Sequence, residues 1–151
     1  MTTLVKGDKS PDFLGKDQNG NIHSLADYKG KKLVLFFYPK ANTPGCTAEA
    51  CDLRDNFSRF QDNQYEIIGV SADDEKAQFK FKEKFDLPFP LLADVDKSVI
   101  KAFGVWGPKK FMGKEYDGIH RTTFIIDENG IIENVISDVK TKVHATQILD
   151  N

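Results

Sequence analysis

Two stretches of the chain are apolar almost without interruption, and they set its architecture. In KKLVLFFYP, residues 31–39, every position from Leu33 to Tyr38 is apolar and the run ends at Pro39. YEIIGVSAD, residues 65–73, repeats the pattern. Runs this short and continuous, rich in Val, Ile and Phe, fit strands buried on both faces, as in a parallel sheet. Between them, from about 44 to 62, the residues favour a helix. DEKAQFKFKEKF, residues 74–85, predicts a second helix, with Phe79 and Phe85 set among lysines and glutamates. FPLLAD (89–94) reads as a short strand and DKSVIKAFGV (96–105) as a short helix. Two hairpins flank this middle section. DFLGKDQNGNIHSL (12–25) turns at Asn19-Gly20, and GIHRTTFIIDENGIIENVIS (118–137) turns at Asn129-Gly130; Asn-Gly is a strong two-residue turn signal. The tail TKVHATQILD (141–150) predicts a helical turn or two.

The resulting order, ββαβαβαββα, implies parallel crossovers in a mixed sheet covered by helices. The expected class is α/β: a thioredoxin-like fold with a central mixed sheet flanked by helices and an added N-terminal β-hairpin. No repeat, low-complexity tract or Pro/Gly/Ser linker divides the 151 residues, so one domain over 1–151 is expected. The net charge of −2, with both signs interspersed, gives no basic face for nucleic acid or an anionic membrane. No apolar run approaches the roughly 20 residues of a membrane span. MTTLVKGDKS at the start has no apolar core of an export signal, so a reducing, cytoplasmic setting is expected.

That setting sharpens the question of the two cysteines, Cys46 and Cys51, which lie five residues apart in YPKANTPGCTAEACDLR. A chain of this size does not need disulfide staples. A metal site is poorly supported, because His23, His120 and His144 are scattered without ligand spacing. In TPGC, Thr43 is a natural N-cap and Pro44 a natural first helical residue. Cys46 then occupies the third helical position, where unpaired N–H groups and the positive end of the helix dipole favour a thiolate over a thiol. Cys46 is either a reactive thiol or an ordinary small core residue. Five residues along a helix rise about 7.5 Å and turn about 500°, which places the two Cα atoms roughly 8 to 9 Å apart. A disulfide needs them within about 7 Å. Cys51 is therefore either inert on the buried face or reaches Cys46 only when the first turns of the helix unwind.

These residues resemble a peroxiredoxin. The family's P-x-x-x-T/S-x-x-C signature is matched by Pro39, Thr43 and Cys46, and the C-x4-C spacing resembles the bacterioferritin comigratory protein or peroxiredoxin Q subgroup. TPGCTAEACDLRD, FGVWG, FMGKEYDGIHRTTFIID and GDKSPDFLGKDQNG extend the likeness along nearly the whole chain. One departure is the tail after Val139, which is shorter than the closing helix of many family members. The resemblance implies a thiol peroxidase that reduces hydrogen peroxide and organic hydroperoxides. In that reading Cys46 is the peroxidatic cysteine and Cys51 the resolving one, closing an intrachain disulfide that thioredoxin reduces. Thr43 would orient peroxide and thiolate, N–H groups near Gly45 and Cys46 would bind the peroxide oxygens, and Arg121 would supply fixed positive charge. Pro39 and Pro44 would shape the pocket, and Glu49 would orient the arginine. No flavin, haem or metal is required, and an intrachain pair lets the protein work as a monomer.

Each helper has a plainer reading. Thr43 could be only a cap, Glu49 could simply complement the helix dipole, and Arg121 could be a surface residue on its strand. Arg54 reads as a surface or salt-bridging residue. His120, adjacent to Arg121 on a strand, would face the opposite side and reads as structural. Trp106, Phe111 and Tyr116 read as packing in a long connection, some of them close to a pocket mouth. Two other functions stand beside the peroxidase: a redox sensor whose helix opening is the signal, and a non-catalytic thioredoxin-fold interaction domain.

Overall fold

The computed structural model describes residues 2 to 150. Its centre is β3 (Lys32–Phe37), the predicted apolar run. One neighbour is β4 (Tyr65–Ser71), in parallel, and the other is β8 (Thr122–Ile126), antiparallel. The sheet is completed by β5 (Leu91–Ala93), parallel to β4, and β9 (Ile132–Ile136), antiparallel to β8, in the order β5-β4-β3-β8-β9. This is the expected mixed sheet of a thioredoxin-like fold, and it carries the expected N-terminal hairpin of β1 (Leu14–Lys16) and β2 (Ile22–Ser24).

The run in β3 is continuous because the strand feeds two cores. Val34, Phe36 and Tyr38 point to one face, where they meet Cys46, Ala50, Leu53, Phe60, Phe81 and Ile148. Leu33, Leu35 and Phe37 point to the other, with Val99, Ile100, Phe103 and Phe124. The first face is covered by α1 (Pro44–Asp55), α2 (Phe57–Asp62), α3 (Glu75–Lys84) and α5 (His144–Leu149). The second is covered by α4 (Ser98–Ala102) together with loops and hairpins. Among the described residues no helix is long and apolar enough to cross a membrane.

Three sequence expectations are corrected. The helix expected from 44 to 62 is two helices, broken at Asn56 (φ −107°, ψ 14°). The Asn56 amide donates to the Asp52 carbonyl at 2.8 Å, a local side-chain bond that competes with the helical ladder. The long connection read around Trp106 is a two-stranded ribbon, β6 (Trp106–Phe111) paired with β7 (Lys114–Ile119). Its turn, Met112-Gly113, takes positive φ at both positions (52° and 80°), as a tight hairpin turn of this kind requires. Much of the ribbon is exposed, so it lacks the apolar alternation that marks a half-buried strand. His120 and Arg121 lie between β7 and β8, not on a strand.

The tail does close the fold. A 3-10 turn, Thr141–Val143, leads into α5, whose buried Ala145 and Ile148 pack in the first core. Asp52 of α1 accepts from the Ala145 N–H at 2.8 Å and so caps the start of α5 from outside.

Gly69 in β4 tests how tightly this sheet is packed. A Cβ there would lie 2.8 Å from both Leu91 Cδ2 and Phe36 Cζ, side chains that are themselves fully buried. Gly69→Ala is expected to lower stability by about 1–3 kcal/mol through overpacking. Urea unfolding at neutral pH measures it, and an unchanged midpoint would contradict the packing.

Candidate active site

The site lies at the end of β3, where the chain leaves the sheet between two neighbours running in opposite senses. Residues 38 to 43 carry the chain from β3 to α1, and buried polar groups anchor that loop. The Tyr38 hydroxyl donates to Gln78 Oε1 at 2.5 Å, and Gln78 Nε2 donates to Ser71 Oγ and the Leu92 carbonyl. Asp73 Oδ2 accepts from the Ala41 N–H at 2.7 Å and from Ser71 Oγ at 2.6 Å. Asn42 takes a left-handed φ of 62°, a conformation Asn tolerates better than most residues, and turns the chain into the helix.

Thr43 has the extended backbone of an N-cap (φ −95°, ψ 159°). Its side chain makes no cap bond; the hydroxyl donates to the Lys40 carbonyl at 2.7 Å and keeps its oxygen lone pairs free to accept. Pro44 is the first helical residue and is exposed, while Pro39 is half-buried. The Thr47 N–H donates to the Thr43 carbonyl at 2.8 Å and opens the helical ladder. The N–H groups of Gly45 and Cys46 precede it, among the unpaired donors at a helix start. Cys46 is 1% exposed and carries a free thiol.

Arg121 reaches this thiol from the segment before β8. Its Nη2 donates to Cys46 Sγ at 3.4 Å and its Nη1 to Glu49 Oε1 at 2.7 Å. Cys46 and Glu49 are three residues apart on α1, so they share a face and one guanidinium can span both. The approach is close enough that a Cβ at Gly45 would sit 3.2 Å from Arg121 Nη2. Burial works against the charge on Arg121, but Glu49 and Cys46 outweigh it and hold its pKa above the ordinary value. The carboxyl of Glu49 is fully buried, and burial pushes its pKa up to about 7 against the pull of Arg121. The other oxygen, Oε2, receives no hydrogen bond among the described residues; His144 Nε2 faces it at 3.4 Å.

Cys51 lies further along the unbroken α1, half-buried and free, so the helical separation of roughly 8 to 9 Å from Cys46 stands. Burial, with the nearby Asp55, raises the Cys51 pKa despite Arg54 and keeps it a thiol at neutral pH. Arg54 is a surface residue bonded to Asp55 and the Phe85 carbonyl. His120 is half-buried, with Nε2 3.0 Å from the Pro108 carbonyl. Phe111 and Tyr116 are exposed on the ribbon rather than packed, and Trp106 lies under the Lys97 ammonium.

Sequence reasoning missed Asp73, Tyr38 and Gln78, which hold the loop, and set His144 aside as scattered. SADD directly after a buried strand was a weak signal for Asp73. Nothing in the local sequence around His144 points to α1. Among the described residues no group of three or more His, Cys, Asp or Glu side chains converges as a metal cage.

Residues 6–135 match the model of the AhpC/TSA family. The chain is 46% identical over 150 residues to peroxiredoxin Bcp of Escherichia coli K12, covering 99% of this chain and 96% of that one. It is 48% identical over 147 residues to peroxiredoxin Bcp of Bacillus subtilis 168, covering 97% and 94%. The bacterioferritin comigratory protein of Xanthomonas campestris, described for its alkyl peroxide reduction activity, superposes with a TM-score of 0.86. That structure is 33% identical, over 91% of this chain and 88% of its own.

The buried carboxyl has a signature in stability. With a folded pKa of about 7 against an ordinary 4.5, Glu49 keeps a proton in the native state that the unfolded chain has lost across that interval. Its contribution is full below about pH 4.5 and is lost as pH rises through 7. His144, whose pKa burial lowers, acts oppositely, contributing above pH 6.5 and less as pH falls. Wild type is therefore expected to lose stability relative to Glu49→Gln as pH rises from 4.5 to 7. Denaturant melts of both at several pH values measure this, and a constant difference would mean that Glu49 ionises as an ordinary carboxyl.

Proposed function

The chain belongs to the AhpC/TSA family, among the peroxiredoxins of the Bcp and Q group, and from that premise we propose that it reduces hydrogen peroxide and alkyl hydroperoxides by a two-cysteine cycle within one chain. The observation that carries the reading is a buried thiol at the start of α1 with a guanidinium nitrogen 3.4 Å from its sulfur. The Cys46 thiolate attacks the terminal oxygen of the hydroperoxide. The S–O bond forms as the O–O bond breaks, and the departing alkoxide or hydroxide takes a proton from solvent and leaves as alcohol or water. Cys46 becomes a sulfenic acid.

Negative charge moves from sulfur onto the peroxide oxygens in that step. Arg121 and the N–H groups of Gly45 and Cys46 are fixed donors around it, and such preorganised donors are usually the largest catalytic contribution. The Thr43 oxygen accepts the hydrogen of the hydroperoxide, which orients the terminal oxygen toward sulfur. Glu49 holds Arg121 in place, and Pro39 and Pro44 wall the pocket. Cys51 then attacks the sulfenic sulfur, forming the Cys46–Cys51 disulfide and releasing water. The helix must unwind for this, since the intact helix keeps the sulfurs out of bonding range. Unwinding exposes the disulfide to a dithiol reductant, read here as thioredoxin, by thiol–disulfide exchange. The protein works as a monomer in the cytoplasm and needs no metal or organic cofactor.

Peroxide reduction coupled to NADPH through thioredoxin and its reductase tests the cycle. Cys46→Ser is expected to fall to background. Cys51→Ser is expected to be oxidised once and then to stop cycling. Wild type that forms the disulfide without turnover would point to a redox sensor or another reductant, and a Cys46 inert to peroxide would end the reading. Arg121→Met removes a fixed donor and is expected to slow Cys46 oxidation by about 10²–10³-fold, read as the second-order rate constant in a rapid-mixing experiment.

A further inference from the structure

The chemistry above leaves His144 without a role. His144, on α5, is fully buried yet is not packed as an apolar residue. Its Nδ1 lies 2.8 Å from Gln147 Oε1. That amide cannot be turned round, because its Nε2 donates to the Asp138 carbonyl and its Oε1 accepts from the Lys140 N–H. Nδ1 therefore carries the hydrogen of the neutral ring, and Nε2 presents a lone pair. Nε2 accepts from the Thr123 hydroxyl at 2.7 Å, and Glu49 Oε2 stands 3.4 Å from the same nitrogen.

With a neutral ring and an ionised carboxylate, two acceptors face each other in a dry interior, and an unpaired buried carboxylate oxygen is costly. A single added proton on Glu49 Oε2 turns that opposition into a hydrogen bond to Nε2, with the Thr123 hydroxyl turning its hydrogen away from the one lone pair of that nitrogen. The charged groups around the pair are few. Arg121 binds the far oxygen of Glu49, with Cys46 beyond it. Asp52, one turn further along α1, is already engaged by the Ala145 N–H. Thr123 from β8 and Gln147 from α5 are neutral.

We propose that His144 is a positioning residue for the peroxidatic site: it shares one proton with Glu49 Oε2, and this buried bridge fixes the carboxyl whose other oxygen holds Arg121 against the Cys46 sulfur. The inference rests on Cys46 being the attacking thiol. The path is continuous, from α5 through Glu49 and Arg121 to sulfur, and it gives the closing helix a part in chemistry that occurs at the other end of the network. It also makes the site respond to pH. Burial raises Glu49 to about 7 and lowers His144, so the shared proton leaves near neutrality as pH rises. The bridge then opens, the carboxyl that Arg121 grips through Oε1 loses its anchor at Oε2, and the net charge near the thiolate falls by one. Reactivity per thiolate falls on the alkaline side.

The experiment measures the rate constant for Cys46 oxidation by hydrogen peroxide and by tert-butyl hydroperoxide from pH 5 to 9. Wild type, His144→Leu and His144→Gln are compared. Wild type is expected to show an alkaline fall centred near neutrality. His144→Leu is expected to lose roughly 10- to 100-fold, the scale of a misplaced catalytic group, and to show a shallower fall. His144→Gln can still donate an N–H to Glu49, whose own titration remains, so most of the rate returns and the alkaline fall becomes shallower than in wild type. Both variants oxidising at the wild-type rate with the fall intact would overturn the proposal, as would a lowered melting temperature with unchanged kinetics of the folded fraction. If His144→Leu does not fold, His144→Gln decides alone: a wild-type rate with a fall as deep as wild type's overturns it. Wild type that does not react with either peroxide would instead sink the peroxidase reading.

Discussion

A single guanidinium holds this site together. Arg121 comes from the antiparallel half of the molecule, just before β8, and grips two residues of α1, Cys46 and Glu49. The helix start and the beginning of β8 are thereby locked at a distance set by N–H geometry rather than by the looser fit of apolar packing. The constraint propagates outward. Gly45 has no side chain where the guanidinium passes. Cys46 and Glu49 must be three apart so that both face Arg121.

The arrangement is electrostatically expensive and cannot be assembled piecemeal. A carboxyl with no exposure is stable beside its own polar neighbours only when a cation and further hydrogen bonds accompany it. One oxygen of Glu49 has Arg121, and the second faces a histidine ring. That is the kind of incomplete satisfaction expected where charge must be repositioned during a reaction rather than where a core is only being filled. The anchors behind it are more conventional. Asp73, Ser71, Gln78 and Tyr38 satisfy one another and the loop before α1, so the loop that delivers Cys46 is held by a connected set of hydrogen bonds.

The same helix also separates its two thiols. A continuous α1 keeps Cys46 and Cys51 out of bonding range, and burial keeps Cys51 protonated. The helix ends in a break at Asn56, and it enters the core through Cys46, Ala50 and Leu53. A helix so placed can be rigid while reduced and still be the element that gives way after oxidation.

What the sequence determined by itself was everything governed by local or periodic physics. The doubly buried β3 and β4, the two hairpins, the mixed character of the sheet and the N-cap position at Thr43 followed from apolar runs and turn chemistry, although each hairpin turns through five residues rather than Asn-Gly alone. The placement of Cys46 at a helix start followed from TPGC. The break at Asn56 was a one-residue competition that a pattern over many residues averages away. The ribbon of β6 and β7 escaped because strands exposed to water on most positions carry no apolar alternation. Arg121 could be named from the sequence through its resemblance to a family, but not located, because its position off the strand depends on where that ribbon ends. His144 was out of reach entirely. It stands 95 residues beyond Glu49 in the chain, and only the docking of α5 on α1, fixed by apolar contacts and the Asp52 cap, brings the two side chains together.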